Sequence, residues 1–333
     1  MSAAPVDQRW RWKRYCAGHL LGCAAVLAQA QPVGFDAQQW LARAQAAATQ
    51  RSYQGTMTSS GGGHLSSSRI SRVSDGRQRL ERIELLNGQA RQQLRHNETV
   101  LTLWPQTRVA VFETEDAVAE FPALPSLGQR LLESYEARPL GQDRVAGMDV
   151  DVVVFKPKDG MRYAQRLWAE RGSGLLLRAD VLGPRGEVLE SSAFTELSFG
   201  GKLQPDSVLG PMKRLDGYRV LRLPSQRVNF ESEGWTMQRA VAGFHLVGCA
   251  RRALEASMGV GDARQVLQAV YSDGLTHVSV FVEPFDAQQH RPMRTSLGAT
   301  STLMNRQGEW WITVVGDVPM PTIQQFEAGL QRR

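Results

Sequence analysis

From residue 53 onward, apolar and polar residues alternate over short runs, which is the pattern that half-buried β-strands produce. Turn residues separate the runs. The pairs Asp75-Gly76 and Asn87-Gly88 suit tight hairpins, because these residue types accept positive φ. The pattern therefore predicts a meander of antiparallel strands at 53–59, 68–74, 78–86, 90–96, 99–104, 108–113, 148–155, 162–170, 175–181 and 188–199.

Two stretches with helical spacing accompany these strands. Asp36 and Gln39 form a capping box that predicts a helix over 37–50, and a second helix is predicted to follow an N-cap at Ser126. The apolar stripe of the first helix comprises Trp40, Leu41, Ala44, Ala47 and Ala48, and that of the second Leu127, Leu131 and Tyr135. Some ten strands with two helices indicate a curved sheet over helices, an unclosed barrel that can enclose an apolar cavity.

A second domain is predicted beyond a segment rich in polar residues, glycine and proline at 201–222, which we interpret as a linker. Further alternating runs follow it, and a last helix begins near Thr322. The predicted strands lie at 228–230, 244–247, 265–272, 276–282, 296–304 and 310–315, and the helix places Ile323, Phe326 and Leu330 on one face. The fold class is therefore α+β, with a large first domain at 31–200 and a small α+β domain at 223–333.

The first thirty residues have the order of a secretory signal peptide. Arg9, Arg11, Lys13 and Arg14 precede the apolar run 20–27, and the small residues of Ala28-Gln29-Ala30 follow it. We expect cleavage after Ala30 and a periplasmic mature protein. A membrane anchor is disfavoured because the run is far shorter than the roughly 20 residues that span a bilayer. A lipoprotein box ending at Cys23 is disfavoured because apolar residues continue past it.

Export changes how charge and cysteine content are interpreted. Residues 1–30 hold four basic residues and one acidic residue, so their removal lowers the net charge from +6 to +3 and gives no reason to expect nucleic-acid binding. The same cleavage leaves Cys249 without a second cysteine in the chain. A buried, inert thiol is favoured there over a reactive one, because the sequence places no base beside it.

The residues that carry chemistry form no recognisable catalytic or metal-binding pattern. Gly259 and Gly261 begin a dinucleotide fingerprint whose third glycine is missing, and no nucleophile elbow or phosphate-binding loop occurs. The histidines lack metal-ligand spacing; those of the mature chain are His64, His96, His245, His277 and His290. We therefore expect neither an enzyme nor a bound cofactor or metal.

Arginine is concentrated in one part of the predicted meander. Seven arginines lie between residues 69 and 95, several of them alternating with apolar residues, so we expect an outward sheet face rich in guanidinium groups. Such a face is either simply solvated or attracts anionic head groups or an acidic partner, since guanidinium binds phosphate in a bidentate manner. The anionic-ligand candidates are Arg69, Arg79, Arg82, Arg91 and Arg95.

Several segments, taken in order, resemble the RseB/MucB regulators of extracytoplasmic stress. They cover nearly the whole mature chain, although the tryptophan and proline that the family usually has before Gly243-Phe244 are absent here. The matching segments are the arginine-rich part of 69–113, Asp159-Gly160-Met161-Arg162-Tyr163 with Leu167-Trp168, Gly174–Arg178, 182–190, Tyr271-Ser272-Asp273-Gly274-Leu275 with 278–283, and Val315–Pro319.

The resemblance implies a large domain similar to the lipoprotein carriers LolA and LolB and a small domain that helps to bind a partner. That partner would be the periplasmic part of an anti-sigma factor of the RseA/MucA type, which the bound regulator shields from proteolysis. Lipopolysaccharide or the acyl chains of mislocalised lipoproteins would release it, and homo-oligomers are possible in such a system. The main alternative is a periplasmic lipid or lipoprotein carrier without a regulatory partner; a hydrolase is disfavoured because no residue pattern predicts one.

Two further sets of site residues follow from these expectations. Residues that alternate inward in the first domain are candidates to line a lipid cavity, with ordinary core packing as the alternative: Leu85, Leu101, Leu103, Val109 and Val111. Partner contact is expected on the second domain and the cleft between the domains, with Phe244, Tyr271 and Asp273 as candidates.

Overall fold

The computed structural model describes residues 34–74, 78–114, 128–200, 204–254 and 264–333. The chain divides into an N-terminal unit, Met1–Phe35, and a compact unit, Asp36–Arg333, to which everything below refers. The predicted signal peptide, the Asp75-Gly76 turn and the Ser126 cap lie outside the described residues. No helix in the described ranges is both long enough and apolar enough to cross a membrane.

Strands form most of the compact unit. Its described helices are α1 (Ala37–Gln50), α2 (Gly128–Ser134), α3 (Pro205–Lys213) and α4 (Met320–Gly329). Its described strands are β1 (Tyr53–Gly61), β2 (His64–Ser74), β3 (Arg79–Leu85), β4 (Gln92–His96), β5 (Thr99–Trp104), β6 (Val109–Thr114), β7 (Tyr135–Val145), β8 (Met148–Pro157), β9 (Ala164–Glu170), β10 (Leu176–Leu182), β11 (Val188–Phe199), β12 (Arg219–Arg222), β13 (Ser225–Arg227), β14 (Trp235–Met237), β15 (His245–Leu254), β16 (Arg264–Ser272), β17 (His277–Pro284), β18 (Met293–Leu297), β19 (Thr300–Gln307), β20 (Trp310–Gly316) and β21 (Leu330–Arg332).

The first domain is one large, unclosed sheet. Twelve strands lie in the order β12-β6-β5-β4-β3-β2-β1-β11-β10-β9-β8-β7, and every neighbouring pair is antiparallel except β12 with β6. Its edge strands, β12 and β7, are not paired with each other in the described part of the chain. The predicted antiparallel meander and the unclosed sheet are therefore confirmed.

Helices pack on both faces of this sheet. On one face, α1 contributes Ala47 to an apolar cluster with Tyr53, Phe194 and Leu177, residues of β1, β11 and β10. On the opposite face, α3 contributes Val208 to a cluster around Leu94 of β4; its other members include Leu80, Leu101, Leu103 and Ala110. Each face of the central strands is thus covered by a different helix.

The start of α1 agrees with the prediction. The Asp36 carboxylate accepts hydrogen bonds from the backbone N–H groups of Gln38 and Gln39, at 2.9 and 3.1 Å. We expect Asp36→Ala to lower the free energy of unfolding by about 1 kcal/mol, because two helix donors lose their acceptor. Chemical denaturation of the two proteins measures the difference. An unchanged stability would show that water replaces the cap without cost.

Two elements of the first domain differ from the prediction. The helix expected to reach Tyr135 ends at Ser134, and the long edge strand β7 begins there, with a register shift between Pro139 and Gly141. The strand is not predicted from the sequence because proline and glycine are rare inside strands, although an edge strand tolerates both. Within the segment interpreted as a linker, residues 204–222 hold α3 and β12, which extend the first domain.

The second domain is a seven-stranded sheet in the order β13-β15-β16-β17-β20-β19-β18, with α4 against one face. Its core is aromatic: Phe326 of α4 meets Phe244 edge-on at 5.4 Å between ring centroids and Tyr271 at 5.1 Å. A two-stranded ribbon, β14 with β21, brings Trp235 into the same core. The predicted small α+β domain is present.

Candidate functional site

The two domains meet around a buried ion pair. Arg162, just before β9 in the first domain, places its Nε 3.4 Å from Oδ2 of Asp273, which follows β16 in the second, and both side chains are 0% exposed. The hydroxyl of Tyr135, at the start of β7, donates to the same oxygen at 2.9 Å. The other oxygen, Oδ1, accepts from the N–H groups of Leu275 and Thr276, each at 2.9 Å. The carboxylate is therefore fully surrounded by donors from both domains.

Burial dominates the electrostatics at this junction. Burial raises the pKa of Asp273. The hydrogen bonds from the Thr276 and Leu275 N–H groups, the charge of Arg162 and the hydrogen bond from Tyr135 lower this pKa, but the effect of burial is larger. Burial, and then the Asp273 carboxylate, raise the pKa of Tyr135 well above its ordinary value. The raised pKa of Tyr135 keeps its hydroxyl protonated at neutral pH, so that it donates its hydrogen bond to Asp273.

The second domain contacts the Arg162 guanidinium through a backbone carbonyl and an aromatic ring. The guanidinium donates to the carbonyl of Ala242 and lies 4.8 Å from the ring centroid of Phe244. Between them, Gly243 has φ +77°, and a Cβ there would lie 2.4 Å from Ser134 Oγ and 2.7 Å from Arg162 Nη1. A side chain at residue 243 would therefore displace the Ser134 and Arg162 side chains from the junction and would strain the backbone at positive φ, which explains why glycine fits at this position.

Three further contacts join the domains. The Thr322 hydroxyl of α4 donates to the carbonyl of Met161 at 2.5 Å, and the Gln325 amide lies 3.1 Å from the Met161 sulfur. Away from this point, Arg252 Nη2 of β15 lies 2.9 Å from Oε1 of Glu113, which belongs to β6. The two domains are thus in contact at more than one place.

A polar cleft of about 480 Å³ opens between the domains on the side of the β1–β2 hairpin. Glu190 of β11 forms part of its wall and accepts a hydrogen bond from the Ala299 N–H at 3.2 Å. Burial, and then the nearby Asp317 carboxylate, raise the pKa of Glu190. The remaining lining residues are Ser59, Ser60, Gly61, Gly62, His64, Ser66, Ser192, Thr295, Leu297, Thr300 and Thr302.

Glu190 should make the stability of the protein depend on pH. Because its folded-state pKa is raised, the charged carboxylate costs stability at neutral pH, and that cost disappears as the pH falls through the raised pKa. We expect Glu190→Gln to remove a gain in stability that the parent protein shows between about pH 7 and about pH 5. Thermal unfolding across this range measures it.

Glu187 provides the control for this experiment. It directly precedes β11, three residues before Glu190, and its pKa is lowered, chiefly by a backbone hydrogen bond. The stability that Glu187 contributes is therefore lost as the pH falls through its folded-state pKa, the opposite direction. Equal pH profiles for the Glu190→Gln and Glu187→Gln variants would contradict the assignment to Glu190.

A second buried ionic cluster lies inside the first domain, on the face that α1 covers. The Glu81 carboxylate is 3.8 Å from Arg72, 3.6 Å from Arg79 and 4.0 Å from Arg95. Burial, and then the charge of Glu81, raise the pKa of the adjacent Tyr53. One carboxylate thus meets three guanidinium groups from three neighbouring strands.

The five arginines proposed as anionic-ligand candidates do not share a face. Arg69 and Arg82 lie on the face of α3, where both approach Glu84. Arg79 and Arg95 lie on the opposite face, in the Glu81 cluster, and Arg91 is exposed before β4. The expected single outward face is therefore wrong. Arg79 and Arg82 are three residues apart on one strand, and the register of β2 with β3 places Ser74 opposite Arg79 and Arg69 opposite Glu84. Their binding of an anionic ligand stays a prediction.

The lipid-cavity candidates also divide between the two faces. Leu101 and Leu103 pack under α3 in the apolar cluster around Leu94. Val109 and Val111 lie on the other face, since the register pairs Leu103 with Ala110 and Leu101 with Phe112. Leu85, also on that face, is partly buried. Leu101 and Leu103 are therefore packed in the core under α3, while Leu85, Val109 and Val111 stay candidates for lining a cavity.

The partner-contact candidates are buried in this structure. Phe244 and Asp273 belong to the domain junction, and Tyr271 packs on Phe326 in the second core. Cys249 is half-buried, and burial, with Glu233 second, raises the pKa of its thiol to about 11, so the thiol stays protonated at neutral pH. Among the described residues, no group of three or more His, Cys, Asp or Glu is placed to hold a metal ion.

Sequence reasoning missed the residues that join the domains. Tyr135 was placed on a helix, and Arg162 was noted within a family motif but given no role. The Arg162–Asp273 pair joins residues more than a hundred positions apart, so no local spacing could reveal it. One signal was available: Gly243 directly precedes the aromatic residue that supports Arg162, and a glycine in such a position can mark a close approach of another chain segment.

A large open sheet joined to a smaller α+β domain through a buried polar junction defines a two-domain protein whose domains are fixed to each other by buried polar groups. The chain belongs to the MucB/RseB family: the family's N-terminal domain matches residues 36–212 and its C-terminal domain residues 229–331. It is 30% identical over 313 residues to the sigma factor AlgU regulatory protein MucB of Pseudomonas aeruginosa, covering 89% of this chain and 91% of that protein.

Further relatives and solved structures agree with this membership. The sigma-E factor regulatory protein RseB of Haemophilus influenzae is 23% identical over 266 residues, covering 79% of this chain and 81% of that one. The structure of the Pseudomonas aeruginosa MucA/MucB complex matches with a TM-score of 0.66 and 25% identity, over 90% of this chain and 99% of that one. MucB in complex with MucA(peri) matches with a TM-score of 0.65 and 26% identity, over 90% and 99%.

Proposed function

We propose that this protein is a periplasmic negative regulator of an envelope-stress sigma factor. It would bind the periplasmic domain of a membrane anti-sigma factor and shield that domain from regulated proteolysis. The observation that carries the proposal is the match of both domains, over 90% of the chain, to MucB structures in complex with MucA.

We further propose that an anionic lipid releases the partner by linkage. A ligand that binds more tightly to the partner-free form must weaken partner binding by the same factor. The first domain offers apolar side chains and a high density of arginine for the acyl chains and phosphates of lipopolysaccharide or for lipoprotein acyl chains. The junction at Arg162 and Asp273 is suited to transmit the effect, because it couples the two domains through buried groups.

The regulator would act by binding and without catalysis. The described residues present ion pairs that stabilise the fold, and the family's named members are regulatory proteins. Export through the predicted signal peptide, cleaved after Ala30, would place the chain in the compartment where the proposed partner's domain lies.

A protection assay tests the shielding role. The periplasmic domain of the anti-sigma factor from the same genome is incubated with the protease that cleaves it, with and without the mature protein. We expect the mature protein to slow cleavage, and lipopolysaccharide to restore it. Cleavage at an unchanged rate, despite measured lipid binding, would favour the alternative function, a periplasmic lipid or lipoprotein carrier without a regulatory partner.

A further inference from the structure

The two large sheets have four edge strands. Three of them have features that oppose pairing with a further strand, namely a proline with a register shift, charged residues or very short length. β7 contains Pro139 and a register shift, β12 has four residues of which two are arginines, and β13 has only three residues. β18 (Met293–Leu297) has five residues, all exposed, with neither proline nor a register shift. Proteins usually protect such edges because unpaired N–H and C=O groups bind other strands. β18 contains one arginine, Arg294, and follows Pro292, so its edge is less protected than the other three and can receive an added strand.

The turn that follows β18 fixes which backbone groups face outward. Leu297 pairs with Thr300 across the two-residue turn Gly298-Ala299, and Gly298 has φ +61°. In a two-residue hairpin the pair that closes the turn is hydrogen-bonded, and bonded and non-bonded pairs then alternate along the strands. The N–H and C=O groups of Arg294 and Ser296 consequently point away from β19, toward the free edge.

The side chains of β18 form a surface beside the cleft between the domains. Thr295 and Leu297 line the cleft, and Met293 lies on the same face of the strand. Met293 and Leu297 are 44% and 56% exposed, so this face of the strand presents two large apolar side chains to solvent. A single added strand could pair with the edge, cover these two side chains and reach the hydroxyl groups of the cleft.

Charge selects among possible occupants. Arg291 and Arg294 are exposed, and no acidic residue occurs from 287 to 299. The Glu190 carboxylate lies at the other end of the strand, where it accepts from the Ala299 N–H, so the basic part of the edge is its start. A second copy of this chain would bring an edge of the same basic character, whereas an acidic peptide would complement it. We propose that β18 binds an extended acidic segment of the anti-sigma factor's periplasmic domain by strand addition; this inference rests on the proposed function.

A pair of variants at one position separates strand addition from simple charge attraction. Arg294→Ala removes the charge and keeps the outward N–H group, while Arg294→Pro removes both. Because proline is tolerated where the N–H of an edge strand faces outward, the proline variant should fold. Each mature protein is titrated calorimetrically with the periplasmic domain of the anti-sigma factor from the same genome. We expect Arg294→Ala to weaken binding about threefold and Arg294→Pro at least about tenfold further.

The outcomes distinguish this inference from the proposed function. If the parent protein does not bind the domain at all, the proposed function fails. If the parent binds and the two variants bind equally, only strand addition is overturned. Loss of self-association in Arg294→Pro, detected by light scattering, with unchanged partner affinity would also overturn it. Should the proline variant not fold, hydrogen exchange on the parent protein decides: strand addition requires slowed exchange of the Arg294 and Ser296 amides in the complex.

Discussion

Replacing Asp273 with alanine is expected to lower the free energy of unfolding by about 3–5 kcal/mol. The substitution removes the carboxylate that faces the Arg162 guanidinium and the Tyr135 hydroxyl, and both partners are buried at the domain junction. The exposed carboxylate of Asp159 stays 3.5 Å from the Arg162 Nε. The guanidinium nevertheless loses its buried counter-charge, and the surrounding protein cannot solvate it. Asp273→Asn should cost less than alanine, since an amide oxygen can still accept from Leu275 and Thr276.

Urea unfolding followed by tryptophan fluorescence measures the Asp273 variants. Asp151→Ala is the matched control, since Asp151 pairs with Arg171 at 3.5 Å but both side chains are exposed. An exposed pair contributes about 1 kcal/mol or less. If the two alanine variants had the same stability, the buried junction would not hold the domains together.

Replacing Glu81 with alanine should have an effect of similar size, about 3–5 kcal/mol, within the first domain. Glu81 faces Arg72, Arg79 and Arg95 on the side of the sheet covered by α1, so its loss removes a carboxylate that three guanidinium groups share, two of them buried. Mutual repulsion of these groups at low effective dielectric adds to the loss of the ion pairs.

The same strand contains the control for Glu81. Glu84 lies on the opposite face of β3, where it meets the partly exposed Arg69 and Arg82. We expect Glu84→Ala to cost about 1 kcal/mol or less, because water screens these pairs. Denaturant unfolding of the two variants compares one strand face with the other, and equal losses would contradict a buried cluster around Glu81.

Local patterns were sufficient for much of the fold. The capping box at Asp36 and the apolar stripe after it gave the bounds of α1, and the period-two alternation gave most strands of both sheets. These signals succeed because they depend on residues that are close in sequence. β7 was missed because Pro139 and Gly141 are typical of turns, and only its place at the sheet edge makes them acceptable.

The face of the sheet on which a side chain lies was harder to predict than the strands themselves. Alternation shows that Arg79 and Arg82 lie on opposite faces of one strand, but it cannot relate them to Arg69 across a turn. That relation depends on the register of β2 with β3, and the register places Arg69 opposite Glu84 and Arg72 opposite Glu81. A shift of one residue would exchange the buried and the exposed arginines.

The candidate site was the least predictable feature, because it is assembled from separate domains. Asp273 was singled out for partner contact, yet its neighbours in the fold are Arg162 and Tyr135 of the first domain. Charge and burial explain the pairing once the domains are together, since a buried carboxylate needs donors. Nothing in the spacing of the three residues indicates it beforehand.

Calorimetric titration tests the regulatory role most directly. The protein without residues 1–30, the predicted signal peptide, is titrated with the periplasmic domain of the anti-sigma factor from the same genome, with and without lipopolysaccharide. We expect a dissociation constant of about 1 μM or lower, a free energy of about −8 kcal/mol, and clear weakening by lipopolysaccharide. Lipopolysaccharide binding without any binding of the anti-sigma domain would contradict the regulatory role and leave a lipid carrier.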